Sequence, residues 1–448
     1  MSNFASLHTA LTGLRASQVG LDTASHNIAN ANTVGFTRQR VVLTARPAYQ
    51  SLVGPIGTGV QVSDIARPRD QFLDARVRAA SASSANAGTT AELLGKLEDV
   101  LAEPENGITV ELTELWAAFE DLGLDPSNAG ARRQVISSLE ALANRINTID
   151  AGWAQLGADT EQRLAVAVDQ VNDLLRDVAQ LNQDIAATLA REGTPNDLLD
   201  ARDVAIDELS RMLGVDEVTV VHDSGGKVRL SVGGVVLVDE NSDPAAMPKL
   251  EWDPDGTPPL AFDGQAVPAL GEVGALVSFL QSDLPTWRAD LDDFVAQLST
   301  TLNTQHATGL DRGTPPGPGK PLLVGGAGTL QVGISHPDEI AAGLTGAAHD
   351  GGNADALAAL GSGIDDRITA LVTDLGRQVS GAVRLAEGQD ALAASASYAR
   401  SNQHGVSLDE EMVSLVQYQR SLEAASRMMT AIDSALDTLI NRTGLVGR

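Results

Sequence analysis

A chain of 448 residues, 43% of them hydrophobic, holds enough apolar surface for about two to four domains. Acids outnumber bases 59 to 31, and the net charge of −28 argues against nucleic acid as a partner. Cysteine is absent, which excludes a disulfide framework, a thiolate nucleophile and a thiolate metal site.

Charge is uneven along the chain. Residues 1–46 carry Arg15, Arg38, Arg40 and Arg46 against Asp22, a local excess of positive charge. In the first helix Phe4, Leu7, Leu11, Leu14, Gln18, Leu21, Ser25 and Ile28 hold one heptad phase, the pattern of a coiled-coil seam. The helix is predicted to end within the stretch Ser25 to Phe36, since its asparagines and Gly35 tolerate the left-handed backbone of a helix end and satisfy exposed carbonyls. No basic start, apolar run and small-residue cleavage site mark residues 1–30 as a secretory signal. Residues 37–46 alternate as a short strand, and a Gly/Pro loop follows at 51–59.

Helices are predicted at 70–101 and 109–122, then a very long one at 129–191 whose stripe includes Val135, Leu139, Ile146, Trp153, Leu164, Val171, Val178 and Ile185. A rod of that length buries its stripe only against other rods. Thr194–Pro195–Asn196–Asp197 reads as the start of the next helix, with Thr194 as N-cap. From Val215 to Leu270 the texture is Val-rich with Gly-Gly and Asp/Pro punctuation, including Asp223–Ser224–Gly225–Gly226, which predicts hairpins. Helix returns at 271–306, a Gly/Pro loop with two short strands occupies 309–335, and a last bundle helix is predicted at 354–401.

The C-terminal helix opens at Leu408 behind Ser407, with Glu410 expected to close a capping box. Its stripe comprises Leu408, Met412, Leu415, Leu422, Met429, Ile432, Leu436 and Leu439. A stripe this narrow cannot be buried by its own helix, so the two terminal helices are expected to pair as the assembly seam. The expected fold is mainly α, with a terminal coiled-coil domain at 1–45 plus 405–448. A helical bundle is expected at 46–213 plus 271–308 and 354–404, a small β-rich inserted domain at 214–270, and a Gly/Pro-rich loop region at 309–353. Because both terminal stripes are narrow and interrupted, they are expected to fray in the monomer and order on assembly.

Catalytic chemistry finds little support. Asp197, Asp200, Asp203 and Asp207 share one helical face but read as a capped, solvated helix start with Arg202 as counter-charge. The run from Glu251 to Gly256 resembles the opening of a calcium loop, yet Phe262 stands where a bidentate glutamate is needed, so a β-turn is expected. Thr314 and Pro321 spoil a phosphate-loop reading around Lys320. The seven histidines never pair at helical spacing, and no cofactor, metal or enzymatic activity is expected. The weakly polar run 322–334 is too short to span a bilayer.

Asn27, Asn30, Thr33, Gly35, Phe36 and Arg38, with Gly57–Val62 and the C-terminal stretches Gly405–Met412 and Leu436–Asn441, resemble the axial proteins of the bacterial flagellum, the rod, hook and hook-associated proteins. Thr37–Arg38–Gln39 and Asn196–Asp203 are more similar to the hook-associated members than to rod or hook subunits. The resemblance implies a structural adaptor joining hook to filament, exported unfolded through the flagellar type III apparatus. It also implies self-association in a ring or helical tube and contact with the hook protein, a second junction protein and the filament protein. A dedicated export chaperone would bind the C-terminal region; neither nucleic acid nor membrane insertion is implied. A distal rod or hook subunit is the first rival, and an exported adhesin or hydrolase with axial-type ends the second.

Overall fold

The computed structural model describes residues 3–51, 54–103, 107–191, 193–220, 225–345, 347 and 349–438. Helix α1 (Asn3–Ala29) leads into a long hairpin, β1 (Arg40–Ala45) with β4 (Val60–Ala66), continued by β2 (Tyr49–Ser51) with β3 (Gly54–Ile56). Helix α2 (Gln71–Leu101) begins behind Asp70, whose carboxylate accepts from the Phe72 and Leu73 N–H groups. Helices α3 (Ile108–Leu124) and α4 (Ala129–Ala190) follow, then α5 (Asn196–Leu213).

The long central helix α4 runs 62 residues behind an Asn128 cap. Its predicted stripe is buried nearly throughout, and the Trp153 indole N–H donates to the Leu97 carbonyl of α2 at 3.0 Å. Each fully buried leucine or valine of this kind stabilises the fold by about 1.5–3 kcal/mol. Packed around it are α2, α3, α5, α6 (Glu272–Ser278) and α7 (Leu284–His306). The stretch predicted as one helix over 271–306 contains a wide π turn at Phe279–Asp283, where Leu284 N–H reaches back to the Phe279 carbonyl and Pro285 has no N–H for the regular bond. The last predicted bundle helix is likewise two, α8 (Gly352–Ala358) and α9 (Gly361–His404), with α9 lying along α2. The final helix, α10 (Leu408–Asp437), lies along α1; the expected seam position Leu439 is outside the described residues.

The β-rich stretch forms two three-stranded antiparallel sheets: β5 (Glu217–Val220), β6 (Val228–Val232) and β7 (Val235–Val238), then β8 (Leu250–Trp252), β9 (Leu260–Phe262) and β10 (Gln265–Ala266). Residues 221–224 of the expected hairpin turn are outside the described residues. Buried Val228, Leu230, Leu250 and Phe262 are continuous with the bundle core, so the sheets lie on the helices. A smaller pair, β11 (Leu323–Val324) with β12 (Gln331–Val332), matches the two short strands expected there.

Asparagines attach these β segments to the helices. Asn172 of α4 donates to the Leu250 carbonyl at 2.9 Å and accepts from the Leu250 N–H at 2.7 Å. Asn182 does the same for Val228, and Asn147 for Leu330. A side-chain amide can present one of its N–H groups and its carbonyl in the geometry of a peptide group, so a helix can offer a strand one rung of a ladder.

Candidate functional site: the neck between the terminal helices and the body

The segment from Asn27 to Gln39 turns the chain from α1 into the hairpin, and its buried polar side chains, Asn27, Thr37 and Gln39, are all hydrogen-bonded. Asn27 is buried and grips Gln39, donating to its carbonyl at 2.9 Å and accepting from its N–H at 3.0 Å. The same amide donates to Glu411 Oε2 at 3.1 Å, tying the end of α1 to the start of α10. Asn30 closes the last turn by donating to the His26 carbonyl, and Thr33 Oγ1 donates to Asn30 Oδ1. Gly35 has φ +81, and a Cβ there would overlap the Val204 side chain of α5, so glycine is needed both for conformation and for space. Phe36 packs edge-on against the His26 ring with centroids 5.3 Å apart.

Beyond the turn, the Thr37 N–H donates to Asp200 Oδ2. Arg38 is paired with Glu410 and, at 2.6 Å, with Glu411, while its N–H donates to the His404 carbonyl. Ser407 does cap α10, accepting from the Glu410 N–H at 3.5 Å, but the Glu410 carboxylate goes to Arg38 and the expected capping box is not made. Gln39 links to α5 through Asp197 and Asn196, and Asn196 donates on to the Ile65 carbonyl of β4 at 2.7 Å. The neck therefore joins α1, α5, α10 and the hairpin in one network.

Of the α5 aspartates read from sequence as a solvated face, Asp197 is indeed exposed, but Asp200, Asp203 and Asp207 are at the centre of it. Asp200 is buried and pairs with Arg67 at 2.5 Å; Asp203 takes the other arm of Arg67 at 2.7 Å. Asp207 accepts from Arg78 at 2.8 Å and from Arg400 of α9 at 2.6 Å, and Arg69 grips Asp74 through two bonds. Four cations thus alternate with four carboxylates. Burial pulls the Arg69 guanidinium down, but Asp203 and Asp74 outweigh it and hold its pKa above the ordinary value. Arg202 does not supply the counter-charge. It points the other way, donating to Asn182 Oδ1 and the Gly226 carbonyl, and burial lowers its pKa to about 10. The helix begins behind Pro195 with no side-chain cap, so Thr194 does not serve as expected. The counter-ions lie more than a hundred residues away in sequence, which is why local reading missed them.

His404 ends α9 inside this network. Its Nε2 accepts from the Asp70 N–H at 3.0 Å, and its Nδ1 is buried without a hydrogen bond. Burial, with Arg69 and Arg400 nearby, pushes its pKa below the ordinary histidine value.

The helices expected to form the seam lie antiparallel: Gly20 meets the Tyr418 ring, and Asn27 meets Glu411. The innermost stripe of α1 is not the leucines but small and polar residues, Ala10, Ala16, Ser17, Ala24 and Asn27 among them, because a Cβ at Gly20 would already collide with Tyr418. Leu7, Leu11, Leu14, Leu21 and Ile28 stand beside that stripe, half-buried. On α10, Leu415, Leu422, Met429, Ile432 and Leu436 are half-buried, whereas Leu408 and Met412 face outward; Phe4's side chain is not among those described. Among the described residues no cluster of His, Asp and Glu is placed to hold a metal ion, and no helix is long and apolar enough to cross a membrane.

The neck is thus a hydrogen-bonded network of alternating charges that bears a half-buried helix pair. Residues 94–322 match the helical domain of the flagellar hook-associated protein FlgK, 7–37 the flagella basal body rod protein, and 400–442 the C-terminal region of the flagellar basal body rod FlgEFG proteins. Flagellar hook-associated protein 1 of Bacillus subtilis is 31% identical, with all of both chains aligned. The protein of that name from Escherichia coli is 28% identical over 68% of this chain and 57% of its own length. The solved structure of the flagellar hook junction protein FlgK from Burkholderia pseudomallei matches 56% of this chain and 46% of that one at 25% identity, with a TM-score of 0.48. With full-length similarity, a matched central helical domain and both axial-type ends joined at the neck, the chain belongs to the flagellar hook-associated protein 1 family.

Proposed function

We propose that this chain is the structural adaptor at the hook–filament junction, self-associating in a ring or helical tube through its terminal helices. The observation that carries the reading is the antiparallel α1/α10 pair, whose leucines remain half-exposed on one chain although the neck below them is closely hydrogen-bonded. Neighbouring copies would bury that flank, with Leu7, Leu14, Leu21, Leu415, Leu422 and Met429 as the residues that gain most. The division into a terminal-helix unit, a bundle and β-rich stretches serves this role by holding both termini at one end of the body.

Several finer elements belong to the same proposal. The chain is exported unfolded to the cell exterior, and the lack of cysteine suits passage through a narrow channel without cross-links. Its contacts are the hook protein on one side and a second junction protein and the filament protein on the other, with an export chaperone on the C-terminal region before export. No catalytic role is proposed.

A strain lacking the gene tests this. It should complete hooks and release unpolymerised filament protein into the medium, and the full chain supplied in trans should restore filaments. Loss of hooks would point to a rod or hook subunit, and intact filaments would overturn the junction role.

A further inference from the structure

The paired terminal helices and the hairpin beside them leave two apolar faces uncovered. On the hairpin, Val42 and Leu43 are 38% and 44% exposed, adjacent yet both outward because the register slips between them. Arg40 and Arg46 stand on either side, and neither makes an ion pair among the described residues, in contrast to Arg38. On α10, Leu408, Met412 and Val413 are 51%, 55% and 67% exposed, and Asp409 among them is also without an ion pair among the described residues. Both faces belong to elements that pack on α1, and neither covers the other. A two-stranded hairpin is marginal unless its apolar face is covered, and an apolar patch rimmed by charge marks a contact surface.

We propose that the outer face of the β1–β4 hairpin of one copy seats on the exposed face of α10 of a second copy. Val42 and Leu43 lie against Leu408, Met412 and Val413, and Arg40 pairs with Asp409. Charge selects this pairing over the two symmetric ones. Among the described residues Asp409 is the acid left without an ion pair in the first turn of α10, since Glu410 and Glu411 are held by Arg38, so two α10 faces would bring their Asp409 side chains together, and two hairpins would bring their Arg40 side chains together. The contact is therefore heterologous, head to tail, and such contacts close into rings or run on as helices. It rests on the assembly reading above and names the surfaces that reading requires.

Because the chain has no cysteine, introduced thiols are unique. Leu43→Cys and Val413→Cys are placed together in one chain and expressed in the deletion strain. Swimming reports the junction role, and oxidation of isolated hook–filament structures reports the contact. A ladder of disulfide-linked multimers is expected from the double variant, with each single variant remaining monomeric. Swimming cells whose double variant stays monomeric, or whose single variants dimerise, would overturn the contact while leaving the junction role standing. If the double variant does not swim, the two purified single variants are mixed and oxidised. A heterodimer no more abundant than with Asp22→Cys as one partner then overturns it. Arg40→Glu should cut the cross-link several-fold, and adding Asp409→Arg should restore it.

Discussion

Asn27 joins three threads of the neck's connectivity, because one amide holds two main-chain groups of Gln39 and one carboxylate oxygen of Glu411. Replacing it with alanine leaves a buried N–H and carbonyl unmatched, and should destabilise the chain by about 2–4 kcal/mol in denaturant unfolding. Gly35→Ala combines the left-handed backbone with a clash against Val204, and should cost about 1–3 kcal/mol in the same measurement. Both effects belong to residues visible in sequence as a motif, though their partners were not. Histidine supplies the pH dependence. His306 is fully buried, with Nδ1 on the Lys320 carbonyl and Nε2 accepting from the Ala341 N–H, and burial lowers its pKa as it does that of His404. Both imidazoles are held neutral in the fold, so their contribution is complete above the ordinary value of 6.5 and declines as pH falls below it, when the unfolded chain takes up protons the folded sites refuse. Melting temperature should therefore fall between pH 7.5 and pH 5.5, and His404→Gln should flatten part of that slope.

At the scale of elements, α5 is the one whose sequence pattern misled. Four aspartates at helical spacing with an arginine among them look like a solvated face, and nothing local distinguishes that from a buried ion cluster. The difference is made by Arg67, Arg69 and Arg78, which enter from the hairpin exit and α2, and by Arg400 from α9. Asp200→Ala removes one of the two carboxylates on Arg67, whose side chain is only 11% exposed, and leaves the Thr37 N–H without its acceptor, so it should destabilise the chain by about 1–3 kcal/mol; Asp200→Asn, which keeps an acceptor oxygen, should cost less. The asparagines of α4 are a second case. Asn172 and Asn182 interrupt an apolar stripe, and only the packed sheets show that they are attachment points. Asn172→Ala should speed amide exchange and proteolysis in β8 while leaving α3 protected.

For the whole molecule, stability is graded from bundle to tip. Helices α3 and α4 present fully buried leucines, isoleucines and Trp153 to a continuous core, whereas α10 buries fully only Glu411 among its described residues. Amide exchange of a dilute chain should accordingly be slow across α3 and α4 and fast across most of α10, and α10 should become protected when copies assemble. Equal protection of α10 and α4 in the dilute chain would show that the terminal pair is rigid without neighbours.

Most helix positions, the first strand, the strands after Val215, the axial motifs and the adjacency of the two terminal helices were legible because each is written in local periodicity or in short runs of turn chemistry, whereas β3 lies in a stretch read as loop and β4 was not read as a strand. Heptad spacing in α1 and the stripe of α10 state that each helix needs a partner, whatever the partner is. What faces what was decided only in three dimensions. The innermost face of α1 is its small-residue stripe because Tyr418 has to fit at Gly20, Asp200, Asp203 and Asp207 are drawn out of solvent because distant arginines converge on them, and Glu410 leaves its cap to pair with Arg38. Periodicity is a property of one segment, whereas an ion pair or a close approach belongs to two, and the second partner is specified only when the chain has folded back on itself.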